Sequence, residues 1–403
     1  MSQLPVQPSP FHGLIGSGLI GRDPFDKRSY SGSSYYFFTE CQRQGLLSGA
    51  SGVELGGWRK WLLLAASFHP SKERLRLSYY LRPAYRDALT RLLAQKLRPT
   101  SPGRTLLQIG ALYSGPEIQS QGGYCTSYHD GNLALRLRSP YGRLLVSDRL
   151  VEKAMAYERR LYHRLDLILT MSEYLRRSFI DDFGVSPDRV VNIGAGANLD
   201  ELPEVVPVET RKGQGILFIG ADFERKGGRV LLEAFAGVRS QLPEAELHIV
   251  GPRQGPPEGL PMERVVWHGF LDKSSPDGAA KMKQLLSECR VLALPSLYEP
   301  FGIAPVEAML HGMPAVVTGD WALGETVTHE VNGLHVRAGD ATSLKEALLR
   351  VLSEPGLDAR LGVHAVSHAR EHFTWPRVVE KLRQALGGME ARPALNLTEP
   401  DKK

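Results

Sequence analysis

Glu299 and Glu307 stand eight positions apart in P-S-L-Y-E-P-F-G-I-A-P-V-E-A-M-L-H-G-M-P-A-V-V-T-G-D, residues 295–320. A carboxylate such as Glu307 can accept hydrogen bonds from both hydroxyls of a diol, as a ribose would offer. Between the two acids, Phe301, Gly302 and Ile303 can present free backbone N–H groups at a helix start, where phosphate is attracted. Gly302 lacks the side chain that would keep a ligand off the backbone. Glu299 is then placed to meet the group beyond the phosphates. On spacing alone a plainer reading stands beside this one, in which two acids only complement a helix dipole.

A second stretch has phosphate-binding character. Ile216–Ile219 reads as a strand and runs into G-A-D-F-E-R-K-G-G-R-V-L-L-E-A-F, which is strand, glycine loop, lysine and helix without being a Walker A sequence. Arg225 and Lys226 are the cations of its G-A-D-F-E-R-K-G-G loop. His129 closes a predicted strand from Tyr124 to Tyr128, and the carboxyl end of such a strand is where open α/β sheets bind ligands. The polar loop holding Ser31, Gly32 and Ser33 precedes a helix predicted to run to about Gln44, with Ser33 or Ser34 as its cap and Gly45 closing it. It is either an anion cradle or an ordinary connection. Gly16–Gly21 matches the dinucleotide pattern G-x-G-x-x-G, but it follows a Pro-rich tail and runs into Arg22-Asp23-Pro24 rather than opening a helix. A strand over Leu14–Ile20 suits it better, and a dinucleotide oxidoreductase is the reading it would otherwise support.

The string around Glu299 and Glu307 resembles the E-x7-E signature of the retaining glycosyltransferases of family 4, which have the GT-B fold. Phe301, Gly302, Glu307, Ala308, Gly312 and Pro314 all fall in that pattern, and the resemblance continues in order from about Gly213 to Leu386 and more faintly through the N-terminal half. It implies that Glu307 holds the nucleotide ribose, that Glu299 lies against the donor sugar, and that the backbone of Phe301, Gly302 and Ile303 holds sugar and phosphates. It implies that His129 contacts the donor sugar and that the backbone at Gly269 and Phe270 meets the base. Ser31, Gly32 and Ser33, with Gly194 and Gly196, match loops that line the family's cleft. The family's diphosphate is gripped by a lysine, matched by Lys226, and by an arginine five residues earlier. That position holds Ala221, and Arg225 stands next to the lysine instead.

The activity so implied moves a sugar from a nucleotide-diphosphate donor to an acceptor hydroxyl with retention. The implied catalytic set is Glu299, His129 and Lys226. The nucleotide sugar is a co-substrate, no separate cofactor is expected, and no Asp-x-Asp pair at a strand end suggests an essential metal. The partners expected are the nucleotide sugar and a carbohydrate or lipid-linked acceptor, with no nucleic acid. Ala221 motivates the alternative, a catalytically weak or inactive GT-B protein that holds a nucleotide sugar or a protein partner.

These residues need elements to position them. A chain of 403 residues exceeds one ordinary core. Strand and helix patterns alternate in both halves, which predicts an α/β chain with two Rossmann-like parallel-sheet domains facing a cleft. The first domain is expected over 11–200, and the family resemblance implies that a C-terminal helix, 376–387, returns to complete it. A linker follows at 201–213, and the nucleotide-sugar domain at 214–375. Helices are predicted over Glu152–His163, after a cap at Ser172, and over Ser343–Leu352 and Leu357–His372. Leu81, Tyr85, Ala88, Leu89, Leu92, Leu93 and Leu97 fall at helical spacing, with Arg82 and Arg86 off that face.

Residues 58–98 mix ten basic side chains with Trp58, Trp61, Phe68, Tyr79 and Tyr80, opposed in sequence only by Glu73 and Asp87. This stretch suits a peripheral membrane contact, or a solvated helix face over a buried aromatic core. A net charge of +5 fits anionic partners. Cys41, Cys125 and Cys289 lack metal-type spacing and read as buried free thiols. The N-terminal residues lack a secretory pattern. A cytoplasmic protein, or one peripheral on the inner face of the membrane, is expected.

Overall fold

The computed structural model describes residues 9–16, 23–97, 103–119, 123–140, 146–211 and 213–391. The chain forms two compact units, one built from residues up to Gly194 together with those from Trp375 onward, the other from Ala195–Thr374. Most of the Gly16–Gly21 motif and of the terminal tails lies outside the described residues.

The first unit contains β1 (Phe11–Gly16), α1 (Ser33–Arg43), β2 (Leu47–Val53), α2 (Gly57–Ala66), α3 (Lys72–Leu81), α4 (Pro83–Lys96), β3 (Leu106–Ile109), β4 (Cys125–His129), α5 (Leu133–Arg138), α6 (Asp148–Arg164), β5 (Leu167–Thr170), α7 (Glu173–Asp181) and β6 (Val190–Asn192). Its sheet is parallel throughout, in the order β2-β1-β3-β4-β5-β6. The short strands β3, β4 and β5 are buried along their whole length, as strands covered on both faces must be. Ser172 caps α7 by accepting from the Leu175 N–H at 3.2 Å, as predicted. Gly184 follows it with φ 70°, a conformation that favours glycine.

The second unit contains β7 (Gly215–Ile219), α8 (Gly228–Arg239), β8 (Glu246–Val250), β9 (Val265–Gly269), α9 (Pro276–Glu288), β10 (Val291–Leu294), α10 (Ile303–Leu310), β11 (Ala315–Thr318), α11 (Leu323–Thr326), β12 (Gly333–Val336), α12 (Ala341–Ser353) and α13 (Leu357–His372). Its parallel sheet runs β12-β11-β10-β7-β8-β9, the doubly wound order of a dinucleotide-type fold. The order reverses between β7 and β10. In such sheets ligands bind outside the carboxyl ends of the strands at that switch point.

The last helix, α14 (Trp375–Glu390), belongs to the first unit. Its Trp375 ring meets Phe37 of α1 at 5.9 Å, and its Arg383 donates to the Gln44 carbonyl at 3.2 Å.

Three expectations need correction. The first strand, β1, begins at Phe11 rather than Leu14, because Phe11, Leu14 and Ile15 supply its buried side chains, and the expected end at Ile20 lies outside the described residues. Helix α1 is capped by Gly32 in the left-handed region (φ 93°), so Ser33 is its first residue rather than its cap. Arg86 is not on a solvent face. It is buried, and its guanidinium donates to Glu158 of α6 at 3.2 Å and to the Tyr80 carbonyl at 3.3 Å. Glu158 also accepts from the Leu133 N–H and the Tyr162 hydroxyl, so this acid has the several partners that a buried charge needs. The apolar face from Leu81 to Leu97 is as predicted, although Pro83 divides it between α3 and α4.

The three cysteines are free and buried. Burial pushes the Cys289 thiol up to about 12, and those of Cys41 and Cys125 rise as well, which keeps all three protonated.

Candidate donor site at the carboxyl ends of β7 and β10

The loops after β7 and β10 are tied together. The Leu297 N–H donates to the Arg225 carbonyl at 2.8 Å, and the Arg225 guanidinium donates to the Tyr298 carbonyl at 2.8 Å. A Cβ on Gly227 would stand 2.0 Å from the Pro295 carbonyl oxygen, and φ there is 76°. Only glycine lets the two loops approach this closely.

The contact brings together residues 73 positions apart in sequence. The Lys226 ammonium bonds the Glu299 carboxylate, and the Arg225 Nη1 lies 3.7 Å from the same Glu299 oxygen. Arg225 also pairs with Asp222 at 3.2 Å. Glu299 is buried, Lys226 and Arg225 are partly so, and attraction between such charges is screened less than at an open surface. The displaced arginine thus stands beside the lysine at the switch point, while Ala221 is exposed on the same loop.

Helix α10 begins at the same place. Gly302 is its N-cap with φ 95°, and a Cβ added there would lie 3.4 Å from the Glu299 Cγ. The first N–H groups of a helix have no partner within it, and Pro305 in this first turn has none to satisfy. Phe301 is buried and meets Phe373 at 6.1 Å, edge to face. Four residues along the helix from Ile303, Glu307 is almost fully buried.

Lys273 is a partner that spacing did not reveal. It lies in the loop after β9 and donates to both Glu307 oxygens, at 2.7 and 2.5 Å. A buried carboxylate needs a cation or several donors, and that need was the available signal. Three residues before Lys273, Phe270 stacks under the Arg253 guanidinium at 3.7 Å. A cavity of about 410 Å³ opens there, lined by Pro252, Arg253, Gln254, Trp267, Gly269 and Phe270 among others. Gly269 has φ 67° at the end of β9, and the Gly251 N–H donates to its carbonyl at 2.8 Å. The predicted Gly269–Phe270 backbone therefore borders a planar cationic and aromatic stack.

The remaining predicted residues lie elsewhere. His129 ends β4 in the first unit, where it is buried with its ring edge-on to Tyr162 and Phe179. Burial lowers its pKa to about 3, so the ring is neutral at ordinary pH. Its Nε2 has no hydrogen-bond partner among the described residues. Gly32 and Ser33 open α1, and Ser31 lies in the single turn before it. Gly194, with φ 76°, accepts the Tyr128 hydroxyl at 2.7 Å and ends the N-terminal part of the first unit. Gly196 is buried just past that boundary, in the second unit. Among the described residues no group of three or more His, Cys, Asp or Glu is placed to hold a metal ion.

Residues 213–354, which hold all of the candidate donor site, match the family described as Glycosyl transferases group 1. The structure is similar along most of its length to that of a sucrose-phosphate synthase from Thermosynechococcus elongatus, with a TM-score of 0.67 at 16% identity, covering 93% of this chain and 98% of that one. The chain has the GT-B fold. A second GT-B structure, Anabaena HepE in complex with UDP and glucose, superimposes with a TM-score of 0.59 at 16% identity, over 93% of this chain and 98% of that one. In sequence, an MMP alpha-(1->4)-mannosyltransferase from Mycolicibacterium hassiacum is 32% identical over 227 residues, which is 55% of this chain and 54% of the relative. The chain spans little more than half the length of the curated relatives it matches.

Proposed function

We propose that this chain is a retaining glycosyltransferase of family 4 that moves a sugar from a nucleotide-diphosphate donor to an acceptor hydroxyl without an essential metal. The observation that carries the reading is the convergence of Lys226 and Arg225 on Glu299 at the switch point of the second sheet, against the N-terminus of α10. Two cations and free helix N–H groups are the equipment for a leaving diphosphate, whose charge grows as the glycosidic bond breaks. The match over residues 213–354 and the glycosyltransferase names of the relatives support the same reading.

The ion pairs suggest how a donor is received. The diphosphate exchanges with Glu299 for Lys226 and Arg225, which frees the Glu299 carboxylate to face the sugar. The ribose diol exchanges with Lys273 for Glu307, and the base occupies the cavity beside Phe270 and Arg253. The HepE structure that superimposes on this chain was determined with UDP and glucose, a ligand pair of the class proposed here. The transition state has oxocarbenium character. Glu299 and His129 act as positioning and electrostatic groups rather than as a covalent nucleophile and its base. The acceptor is a carbohydrate or lipid-linked hydroxyl.

A thermal-shift screen of nucleotide sugars tests the reading first, since a ligand of the native state raises its melting temperature. Glu307→Ala should then weaken nucleoside diphosphate binding by about 2 kcal/mol, because a charged acceptor is lost. An unchanged dissociation constant would refute the ribose assignment. Donor turnover, with slow hydrolysis in the absence of acceptor, separates an enzyme from a protein that only holds the nucleotide sugar.

A further inference from the structure

Helix α2 in the first unit is amphipathic the wrong way round for a core helix. Trp58, Trp61, Leu62 and Ala65 recur at the spacing of one helical stripe, the pattern that ordinarily faces a core. Here that stripe is exposed: Trp58 is 68%, Trp61 71% and Leu62 59% accessible. Phe68, in the turn just after the helix, is 75% accessible. No residue of α2 is fully buried, and the helix is held through the opposite side, where Leu63 and Leu64 pack against the core. Large apolar side chains exposed together mark a contact surface, whereas single ones do not.

Charge selects the occupant. Arg59 stacks near the Trp58 ring at 5.5 Å and is exposed, as are Lys72 and Arg76 on the following helix. Glu54, four residues before Trp58, is paired with Lys60 at 3.2 Å. Tryptophan prefers the boundary between hydrocarbon and water, and lysine and arginine beside it attract acidic headgroups. A helix of ten residues is far too short to span, and among the described residues no helix is long and apolar enough to cross a membrane. It can only lie in the surface.

We propose that α2 and the Phe68 turn dock the first unit on an anionic lipid surface, with Trp58, Trp61, Leu62 and Phe68 entering the headgroup boundary and Arg59, Lys72 and Arg76 meeting acidic headgroups. The rest of the basic and aromatic stretch 58–98 does other work, since Tyr79, Tyr85 and Arg86 are buried.

The test uses the full chain with vesicles of phosphatidylglycerol and phosphatidylcholine in equal parts, beside vesicles of phosphatidylcholine alone. The chain should sediment with the acidic vesicles and be released as salt rises, because the Debye length shrinks to about 3 Å near ~1 M. Tryptophan fluorescence should be quenched by brominated lipid. Trp58→Ala with Trp61→Ala should weaken binding by about tenfold or more and abolish that quenching, since the apolar area they bury is lost. Arg59→Glu with Arg76→Glu should weaken it without touching an apolar group. All four side chains are exposed, so circular dichroism should show an unchanged fold. Equal binding to neutral vesicles would overturn the proposal, as would vesicle binding that survives both pairs of substitutions. Absence of vesicle binding, with a dimer in sedimentation equilibrium that the tryptophan pair dissolves, would assign the face to a second copy instead.

Discussion

At the scale of single residues, the proposed donor site turns on which cation does what. Lys226 brings a point charge, while Arg225 brings a fork that matches phosphate oxygens. Both stand at Glu299, and Arg225 is further fixed by the Tyr298 carbonyl and by Asp222. A group that stabilises a charge growing in the transition state affects turnover more than ground-state binding. Arg225→Ala should therefore lower kcat more than it raises the donor dissociation constant, and Arg225→Lys should recover only part, because the bidentate geometry is gone. Steady-state kinetics with a separate binding measurement decide it. Wild-type turnover in Arg225→Ala, with turnover abolished in Lys226→Ala, would make Arg225 a partner of Asp222 and no part of the diphosphate site. Both cations were legible in the sequence as members of one glycine loop. Their convergence on Glu299 was not, because it depends on a strand pairing 75 residues apart, that of Ile216 with Val291. Lys273 was hidden for the same reason: its meaning comes only from Glu307, 34 positions away.

At the scale of elements, the sequence was most readable where local chemistry decides. Strands β10 and β11, the cap at Ser172 and the helix from Leu357 to His372 fall where pattern and capping put them. It was least readable where a partner decides, as with Arg86, whose acid is supplied by α6. The loop-to-helix turn at Gly227 shows how an element end can be constrained by its neighbour. Gly227 and Gly356 both begin helices with φ 76°, but a Cβ on Gly356 meets nothing within 4 Å, whereas one on Gly227 would press into the Pro295 carbonyl. Gly356→Ala should cost only the left-handed strain, about 1 kcal/mol. Gly227→Ala adds a backbone clash and should cost about 3 kcal/mol, with loss of nucleotide binding as the β7 and β10 loops separate. Urea unfolding of the two variants measures the difference. Equal losses would show that the loops yield freely and that their close approach is not what the glycine secures.

At the scale of the whole molecule, the chain leaves its first unit at Gly194 and returns to it at Trp375. A returning helix was expected from the family resemblance, and the structure gives it a physical role. Six side chains of α14 are buried: Trp375, Val378, Val379, Leu382, Leu386 and Met389. Each contributes about 1.5–3 kcal/mol by leaving water, so together they rival the ~5–15 kcal/mol that holds an ordinary domain. Arg383 and Glu390 add bonds to the Gln44 carbonyl and the Ser9 N–H. The first unit should therefore not survive removal of the helix, even though the nearest of its other residues in sequence is Gly194. The second unit, with its own sheet and all of its strands between Gly215 and Val336, loses nothing of its core by that cut. A chain ending at Thr374 should accordingly show one resistant core in limited proteolysis, mapping to about residues 195–374, while α1 and its neighbours are digested. Nucleoside diphosphate should still raise the melting temperature of that core, since Lys226, Glu299, Lys273 and Glu307 all lie within it. Equal protection of both units in the truncated chain would mean that α14 only covers a surface already stable without it.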